Sequence, residues 1–203
     1  MSQSDRPFSY APNVVVLAGP NGAGKSTLAP LLLAGTLDVR EFVNADTIAA
    51  GLSPYNPEAV AFAAGRIMLR RMRQLASERA DFAFETTLAA RTHARWLKSL
   101  QIPGYRCHVV FLALPSPELA IQRVAERVNT GGHHVDDEVI RRRLQSGLQN
   151  FFRLYTPIAD AWQFYESSAI RGPRLIASAS SKSVNDVVDE ARWRYYQAMA
   201  QRP

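Results

Sequence analysis

This sequence of 203 residues is poor in cysteine and has no long apolar run. Its single cysteine, Cys107, rules out an intrachain disulfide and fits a reducing cytoplasm. Because Cys107 lies in a strand-like stretch, we expect a packed core thiol rather than a catalytic one. No segment approaches the roughly 20 apolar residues that a membrane-spanning helix needs, so we expect no membrane partner. Residues 1–12 are polar and lack an apolar secretory core, and we expect them to form a loose leader.

A surplus of basic residues dominates the charge pattern. The formal net charge is +6 and the pI is about 9.8, which favours anionic partners such as nucleotides, phosphosugars or nucleic acid. The arginines concentrate at 58–79 and 123–143. Aromatic residues are not interleaved with these clusters, and this disfavours nucleic acid. In the first cluster, Arg66 is a candidate for binding substrate phosphate, with a solvated helix face as the alternative.

The most informative stretch is VVVLAGPNGAGKST at 14–27, where an apolar run meets a glycine-rich turn. The turn fits the P-loop pattern G-x-x-x-x-G-K-S and is followed by a predicted helix. Glycines let the backbone approach an anion, and the helix N-terminus adds its positive dipole end. Lys25 would reach the β- and γ-phosphates, and Ser26 would ligate Mg²⁺. We therefore expect a nucleotide to bind at Gly19, Pro20, Asn21, Gly22, Ala23, Gly24, Lys25, Ser26 and Thr27.

Acidic and hydroxyl side chains follow two further predicted strands. Asp46 comes just after a short strand at 40–44, and Glu85, Thr86 and Thr87 follow the strand at 82–84. Sheets of this class bind ligands at the carboxyl ends of their strands. We expect Asp46 to act as the catalytic base toward an acceptor hydroxyl, with helix capping as the alternative. We expect Glu85 to hold Mg²⁺ through water or to grip a substrate hydroxyl. The two threonines would bind phosphate or sugar, although Thr87 could instead cap the next helix.

A third group of candidates follows the strongest strand, at 105–114. A helix bearing Arg127, a glycine–histidine loop at 130–135 and a helix bearing Arg141 and Arg143 occur in succession. Small P-loop kinases build a lid in this way, and its arginines neutralise charge on the transferred phosphoryl group. We expect all three arginines to be catalytic. A solvated face or a nucleic-acid patch is the alternative.

Alternating strands and helices predict an α/β fold of the P-loop NTPase type, with three α/β/α layers and a mainly parallel five-stranded sheet. We expect one kinase domain over 13–203, with a helical lid at about 123–145. The fifth strand is predicted at 162–167, with a short edge strand at 174–177. A closing helix is predicted at 184–199, with the inward stripe Val187, Val188, Ala191, Tyr195 and Met199.

Four segments together resemble the zeta-toxin family of P-loop kinases, in its compact branch. They are LAGPNGAGKST (17–27), VNADTIAAGLSP (43–54), FAFETTL (82–88) and RVNTGGHHVDDEVIRRR (127–143). The resemblance implies ATP- and Mg²⁺-dependent phosphorylation of a hydroxyl, which in the best-known members belongs to a UDP-activated N-acetyl amino sugar. It also implies a toxin-like protein with an antitoxin partner. The chain is shorter than the larger toxins and lacks much of their sugar pocket.

The resemblance also implies a role for each candidate. Lys25 and Ser26 match the nucleotide and metal positions, and Asp46 matches the acid that deprotonates the acceptor. Glu85 and Thr86 match the substrate-contacting pair. The paired arginines near the γ-phosphate are matched by Arg127 with either Arg141 or Arg143.

Two other functions compete with this one. The first is a kinase of another metabolite, a nucleotide or an antibiotic. The second is a P-loop ATPase that serves as a nucleic-acid-binding or regulatory module. No acid closes the strand at 105–114, so the Walker B acid typical of motor ATPases and GTPases is missing there. This absence disfavours the second alternative.

Overall fold

The computed structural model describes residues 11–35, 39–129, 132, 134–168, 172–180 and 185–202. Most of the predicted leader lies outside these residues, as do Thr130, Gly131 and His133 of the predicted glycine–histidine loop. The strands are β1 (Asn13–Ala18), β2 (Glu41–Val43), β3 (Phe82–Thr86), β4 (Arg106–Ala113), β5 (Ala161–Glu166), β6 (Arg174–Ser180) and β7 (Asn185–Val187). The helices are α1 (Lys25–Gly35), α2 (Ala45–Leu52), α3 (Ala61–Ser77), α4 (Thr92–Gln101), α5 (Pro117–Asn129), α6 (Asp137–Asn150) and α7 (Glu190–Gln201).

The sheet has seven strands in the order β2-β3-β1-β4-β5-β6-β7. The strands from β2 to β5 in this order are parallel, and β6 and β7 are antiparallel. The predicted P-loop NTPase-like fold with a mainly parallel sheet is confirmed. The predicted count of five strands was wrong, since β6 lies inside the sheet and β7 forms its edge. Small polar residues in β6 and the three-residue length of β7 give a weak strand signal.

The parallel register brings large apolar side chains together on one face of the sheet. Phe84, Val16, Val109 and Trp162 are neighbours across four strands, and none is more than 6% exposed. Cys107 lies on the same face because it is two residues before Val109. It is buried, so the predicted packed core thiol is confirmed. This core supports the strand ends from which the P-loop and the acidic residues emerge.

Helix boundaries differ from the predictions at three places. A 3₁₀ turn at Pro57–Val60 precedes α3, and a π-helical turn at Phe151–Tyr155 ends the helix predicted to run to Tyr155. The helix after β3 begins at Thr92, five residues after Thr87, so Thr87 does not cap it. Within the described residues no helix is both long and apolar enough to cross a membrane.

The closing helix α7 begins later than predicted and packs through other residues. It starts at Glu190, because β7 occupies part of the predicted helix. In the predicted inward stripe, Met199 is buried and Val187 packs against the core from β7, whereas Val188, Ala191 and Tyr195 are exposed and were predicted wrongly. The residues that α7 buries are Trp193, Tyr196, Met199 and Ala200.

A buried carboxylate joins α7 to the sheet. Glu166, at the end of β5, is 6% exposed and accepts hydrogen bonds of 2.8 Å from the Tyr196 and Ser168 hydroxyls. It also pairs with the Arg192 guanidinium. Burial acts to raise the pKa of Glu166, but these donors outweigh it and hold the pKa below its ordinary value. The end of β5 is thereby fixed beside the P-loop.

Candidate active site

The turn between β1 and α1 forms the P-loop, and its glycines are required by close packing. Gly19 and Gly22 have φ of +142° and +77°, a region that favours glycine. A Cβ on Gly19 would lie 2.2 Å from the Leu112 carbonyl oxygen, and one on Gly22 would lie 2.9 Å from the Ala120 carbonyl oxygen. The turn is therefore pressed against the end of β4 and against α5, and it ends where α1 begins at Lys25.

The Lys25 ammonium is buried at the centre of the site. The side chain is 6% exposed, and its Nζ donates a 2.9 Å hydrogen bond to the Pro20 carbonyl oxygen. Its Nζ also lies 3.5 Å from Glu85 Oε1. Burial lowers the pKa of Lys25, the Glu85 and Asp46 carboxylates oppose this, and Arg127 adds to the lowering. An anion bound in the P-loop would provide the countercharge that this ammonium otherwise takes from Glu85.

Glu85 connects three elements at the carboxyl edge of the sheet. Its Oε2 accepts a 2.8 Å hydrogen bond from the Ser26 hydroxyl and another of 2.8 Å from Asn44 Nδ2. Ser26 belongs to α1, Asn44 precedes α2, and Glu85 is the penultimate residue of β3. The convergence follows from the strand order, because β3 lies between β1 and β2.

Asp46 lies in the first turn of α2, and the alternative prediction that it caps this helix was wrong. Asn44, not Asp46, is the N-cap of α2, and its Oδ1 accepts from the Asp46 and Thr47 backbone amides at 2.7 and 3.3 Å. Asn before a helix is a common capping signal, and it could have been read from the sequence. With the amides satisfied by Asn44, the Asp46 carboxylate in the first turn of α2 does not serve as the cap.

One cavity of about 210 Å³ brings together seven of the candidate residues. It combines the buried ammonium of Lys25 with two carboxylates and a guanidinium. Four lining residues, Asn44, Ala45, Met68 and His93, were not predicted. Burial lowers the pKa of His93, which favours its neutral form. The lining residues are Asn21, Lys25, Asn44, Ala45, Asp46, Met68, Glu85, Thr86, Thr87, His93 and Arg143.

Close packing of α6 brings Arg143 into this cavity. A Cβ on Gly147, one turn after Arg143, would lie 2.3 Å from the Thr87 carbonyl oxygen. Asn150 Nδ2 donates to the Leu88 carbonyl oxygen at 2.7 Å. With α6 held in this way, Arg143 is half-buried and its NH1 lies 3.3 Å from Asn21 Oδ1 in the P-loop.

The other predicted arginines occupy different positions. Arg141 is exposed and donates a 2.6 Å hydrogen bond to Glu118, so it lies outside the cavity lining. Arg66 is exposed on α3 and is likewise not a lining residue. Arg127 is half-buried, and its carbonyl oxygen accepts from the Gly132 amide at 2.9 Å. Its charge is close enough to act on Lys25.

Arg123 supports the P-loop from outside the cavity. Its NH1 donates to the Ser167 carbonyl oxygen at 2.5 Å and lies 3.4 Å from the Gly22 carbonyl oxygen. It therefore links the P-loop to the segment after β5. Nothing local in the sequence identifies a carbonyl partner 101 residues away.

The donor set fits Mg²⁺. The Ser26 hydroxyl and the Glu85 carboxylate are oxygen ligands 2.8 Å apart, and Mg²⁺ prefers one or two such groups together with phosphate oxygens and water. Within the described part of the chain, no cluster of three or more His, Cys, Asp or Glu side chains could hold a metal without phosphate. A metal here would therefore come with the nucleotide.

A family model described as an AAA domain (AAA_33) matches residues 14–154. The chain belongs to this AAA-domain family. The matched range includes the P-loop, Asp46, Glu85 and Arg143. An uncharacterized protein of Haemophilus influenzae is 26% identical to this AAA-domain chain over 129 residues, which are 64% of the chain and 90% of that relative.

Solved structures resemble the AAA-domain chain over nearly its whole length. The AvrRxo1-ORF1:AvrRxo1-ORF2 complex with sulphate ions matches with a TM-score of 0.74 at 14% identity, over 96% of this chain and 66% of that one. The same complex with ATP matches with a TM-score of 0.71 at 16% identity and the same coverage. The chain thus spans just under two thirds of that protein.

A chain of the PezAT chromosomal toxin–antitoxin system of Streptococcus pneumoniae also matches. The TM-score is 0.63 at 17% identity, over 96% of this chain and 87% of that one. At identities this low the comparison concerns the fold alone. The predicted resemblance to zeta-toxin-like P-loop kinases is confirmed for the fold.

Proposed function

We propose that this protein is an ATP-dependent kinase that transfers the γ-phosphoryl group of ATP to a hydroxyl of a small molecule. One observation carries the proposal: the P-loop lysine and the two predicted carboxylates, Asp46 and Glu85, line a single cavity. A P-loop that only binds a nucleotide would need the lysine but not the two carboxylates. An exposed acid beside it provides a base for an acceptor. The AvrRxo1 structure with ATP supports ATP as the donor.

The residues in and beside the cavity have different roles, which follow from their charges. The P-loop amides and Lys25 bind the phosphates, and Arg143 and Arg127 neutralise charge on the transferred group. Ser26 and Glu85 would hold Mg²⁺, directly or through water. When bound, Mg²⁺ neutralises charge on the β- and γ-phosphates. Asn44 keeps the Glu85 carboxylate oriented toward Ser26.

Asp46 acts at the acceptor. Its carboxylate orients the acceptor hydroxyl and takes its proton as the hydroxyl oxygen bonds to the γ-phosphorus. The bond from that phosphorus to the bridging oxygen breaks, and ADP leaves with the electron pair. Residues 123–145 would close over the phosphates as a lid, within one domain covering 13–203. Thr86 and Thr87 line the same cavity and would bind phosphate or the acceptor, while Arg66 would contribute only from the surface.

The resemblance implies a UDP-N-acetyl amino sugar as acceptor, and this stays a prediction. The likeness to a chain from a toxin–antitoxin system supports a cytoplasmic, toxin-like protein with an antitoxin partner. Kinases of other metabolites or nucleotides have the same chemistry at the phosphate. A nucleic-acid-stimulated ATPase is the alternative from another class, and the basic charge favours it.

The test is to incubate the protein with ATP labelled at the γ-phosphate, Mg²⁺ and a metabolite extract. We expect the label to move from ATP to a small organic compound, and Lys25→Ala to abolish the transfer. Adding UDP-N-acetylglucosamine alone tests the finer prediction. Label that appears only as inorganic phosphate, at a rate raised by RNA or DNA, would favour the ATPase instead.

A further inference from the structure

A second cavity, of about 220 Å³, adjoins the cavity of about 210 Å³ that Lys25 lines. It lies between α2, the 3₁₀ turn at Pro57–Val60 and the start of α3. Ala45 and Asp46 line both cavities, so the proposed base stands at their junction. The lining residues are Ala45, Asp46, Ala49, Ala50, Pro54, Pro57, Glu58, Ala61 and Gly132.

The charged side chains among the described lining residues of this second cavity are all acidic. Of the nine lining residues that the structure describes, six are alanine or proline, and the charged ones are Asp46 and Glu58. Neither carboxylate makes a hydrogen bond or a close ion pair with any residue that the structure describes, although the Asp46 charge acts on the Lys25 ammonium. No lysine or arginine is among the described lining residues. An apolar wall strengthens the field of these two carboxylates, so the cavity attracts a cation and repels a phosphate.

The size of the cavity limits what can enter. A volume of 220 Å³ equals that of roughly seven water molecules at about 30 Å³ each. It lies below the roughly 300–1,000 Å³ of pockets that take drug-sized ligands. One sugar ring or a short amino alcohol fits inside it, whereas a whole nucleoside diphosphate would extend beyond it.

We infer that this cavity is the acceptor site and that the acceptor is a small amino alcohol or amino sugar. Its ammonium lies at Glu58 and its hydroxyl at Asp46, facing the γ-phosphate in the first cavity. The inference rests on the proposed kinase function and narrows it, because an acceptor that carries a diphosphate would place negative charge beside two carboxylates.

The probes are ethanolamine, serinol and glucosamine, each paired with its N-acetylated counterpart, and UDP-N-acetylglucosamine. Each pair has the same hydroxyl and differs in the charge on nitrogen. Binding is measured by calorimetry without ATP, at a pH where the amines are protonated. Turnover is measured as ADP release with ATP and Mg²⁺.

At least one amine should bind and react with a KM at least tenfold below that of its N-acetylated counterpart. Glu58→Gln should raise that KM at least tenfold, the usual range for losing a charge-assisted hydrogen bond, and leave kcat within about threefold. Glu58 is exposed, so its loss should not unfold the protein. Glu78→Gln, at the other end of α3, is the matched control and should change neither parameter.

The outcomes separate the two proposals. Amine binding that depends on Glu58, without any phosphoryl transfer, would support the site and overturn the kinase. Transfer to UDP-N-acetylglucosamine or to the N-acetylated probes, unaffected by Glu58→Gln, would support the kinase and overturn the site. If no amine in the panel binds or reacts, the site is also overturned, and the labelled-ATP screen still decides whether the protein is a kinase.

Discussion

The Ser26 hydroxyl donates a 2.8 Å hydrogen bond to the Glu85 carboxylate across 59 residues of sequence. This contact brings together the two side chains that we assign to Mg²⁺. Glu85 lies in β3, one residue before the end of the strand. The carboxylate is shared among the Ser26 hydroxyl, the Asn44 amide and the Lys25 ammonium.

Replacing either member of this pair should weaken Mg²⁺-dependent activity. Ser26→Ala and Glu85→Gln should each raise the Mg²⁺ concentration for half-maximal ADP release by about 10- to 100-fold. Because the two groups act on one ion, the double variant should lose less than the two effects combined. Ser99→Ala removes a serine hydroxyl that bonds the Trp96 carbonyl oxygen on α4, and it should behave like the wild type. Fully additive losses would argue against a shared ion.

Asp46→Asn should separate nucleotide binding from transfer. The amide keeps the shape of the side chain but cannot take the acceptor proton, so ATP affinity should stay within about threefold while transfer falls by about 10²-fold or more. ATP affinity is measured by calorimetry and transfer with labelled ATP. Asp186→Asn on β7 is the matched control. Normal turnover in Asp46→Asn would rule out the base assignment.

Two of the three arginines of α6, Arg141 and Arg143, should differ sharply. Arg143→Gln removes a guanidinium from the cavity and should lower kcat by about 10³-fold, the usual scale for an arginine that stabilises a transferring phosphoryl group. Arg141→Gln breaks an exposed ion pair with Glu118, which is worth at most about 1 kcal/mol of stability, and should leave kcat within about threefold. Steady-state kinetics measure both variants. If Arg141→Gln lowered kcat more than Arg143→Gln, α6 would have to occupy a different position during turnover.

Gly147→Ala tests whether close packing of α6 positions Arg143. The added methyl group would meet the Thr87 carbonyl oxygen, and the overpacking should cost about 1–3 kcal/mol of unfolding free energy. It should also lower kcat, because Arg143 moves with the helix. Gly65→Ala in α3 meets no atom within 4 Å and should instead stabilise the protein by about 0.5–1 kcal/mol. Urea denaturation and ADP release measure both effects. Equal behaviour of the two variants would contradict this account.

The free energy of unfolding should fall as pH rises above 9, because buried acids resist ionisation. Burial, helped by Asp160, raises the pKa of Cys107 from 9.0 to about 12. The thiol contributes full stability below its unfolded pKa and loses this contribution as pH approaches 12. At pH 10.5 the loss amounts to about 2 kcal/mol at about 1.4 kcal/mol per pH unit. Cys107→Ala should therefore lose about 2 kcal/mol less than the wild type between pH 8 and 10.5, as measured by urea titration. Parallel curves would mean that the thiol ionises freely in the folded state.

The sequence predicts the P-loop and the acidic residues at the neighbouring strand ends well, because the signals for them are local. The P-loop spacing determines where Lys25 and Ser26 stand relative to one another. Asp46 and Glu85 were predicted together because each follows a strand, and parallel strands end at a common edge. These contacts depend on elements whose ends are readable from composition alone.

The remaining parts depend on contacts between distant segments. Choosing between Arg141 and Arg143 requires the rotation of α6 about its axis, which Gly147 sets against the Thr87 carbonyl oxygen. The support that Arg123 gives the P-loop depends on where the segment after β5 ends. At the sheet edge, the predicted strand at 174–177 covers only the first four of the seven residues of β6, whose remaining residues are small, and the three residues of β7 fell inside the predicted helix.

The family match stops at residue 154, before β5 and α7. Phe164 of β5 nonetheless contacts the rings of Phe111 and Phe151 inside the matched range. A protein cut at residue 154 would keep each proposed catalytic group and lose one wall of the structure that holds them. The segment that the family model matches is thus smaller than the segment whose packing supports the site.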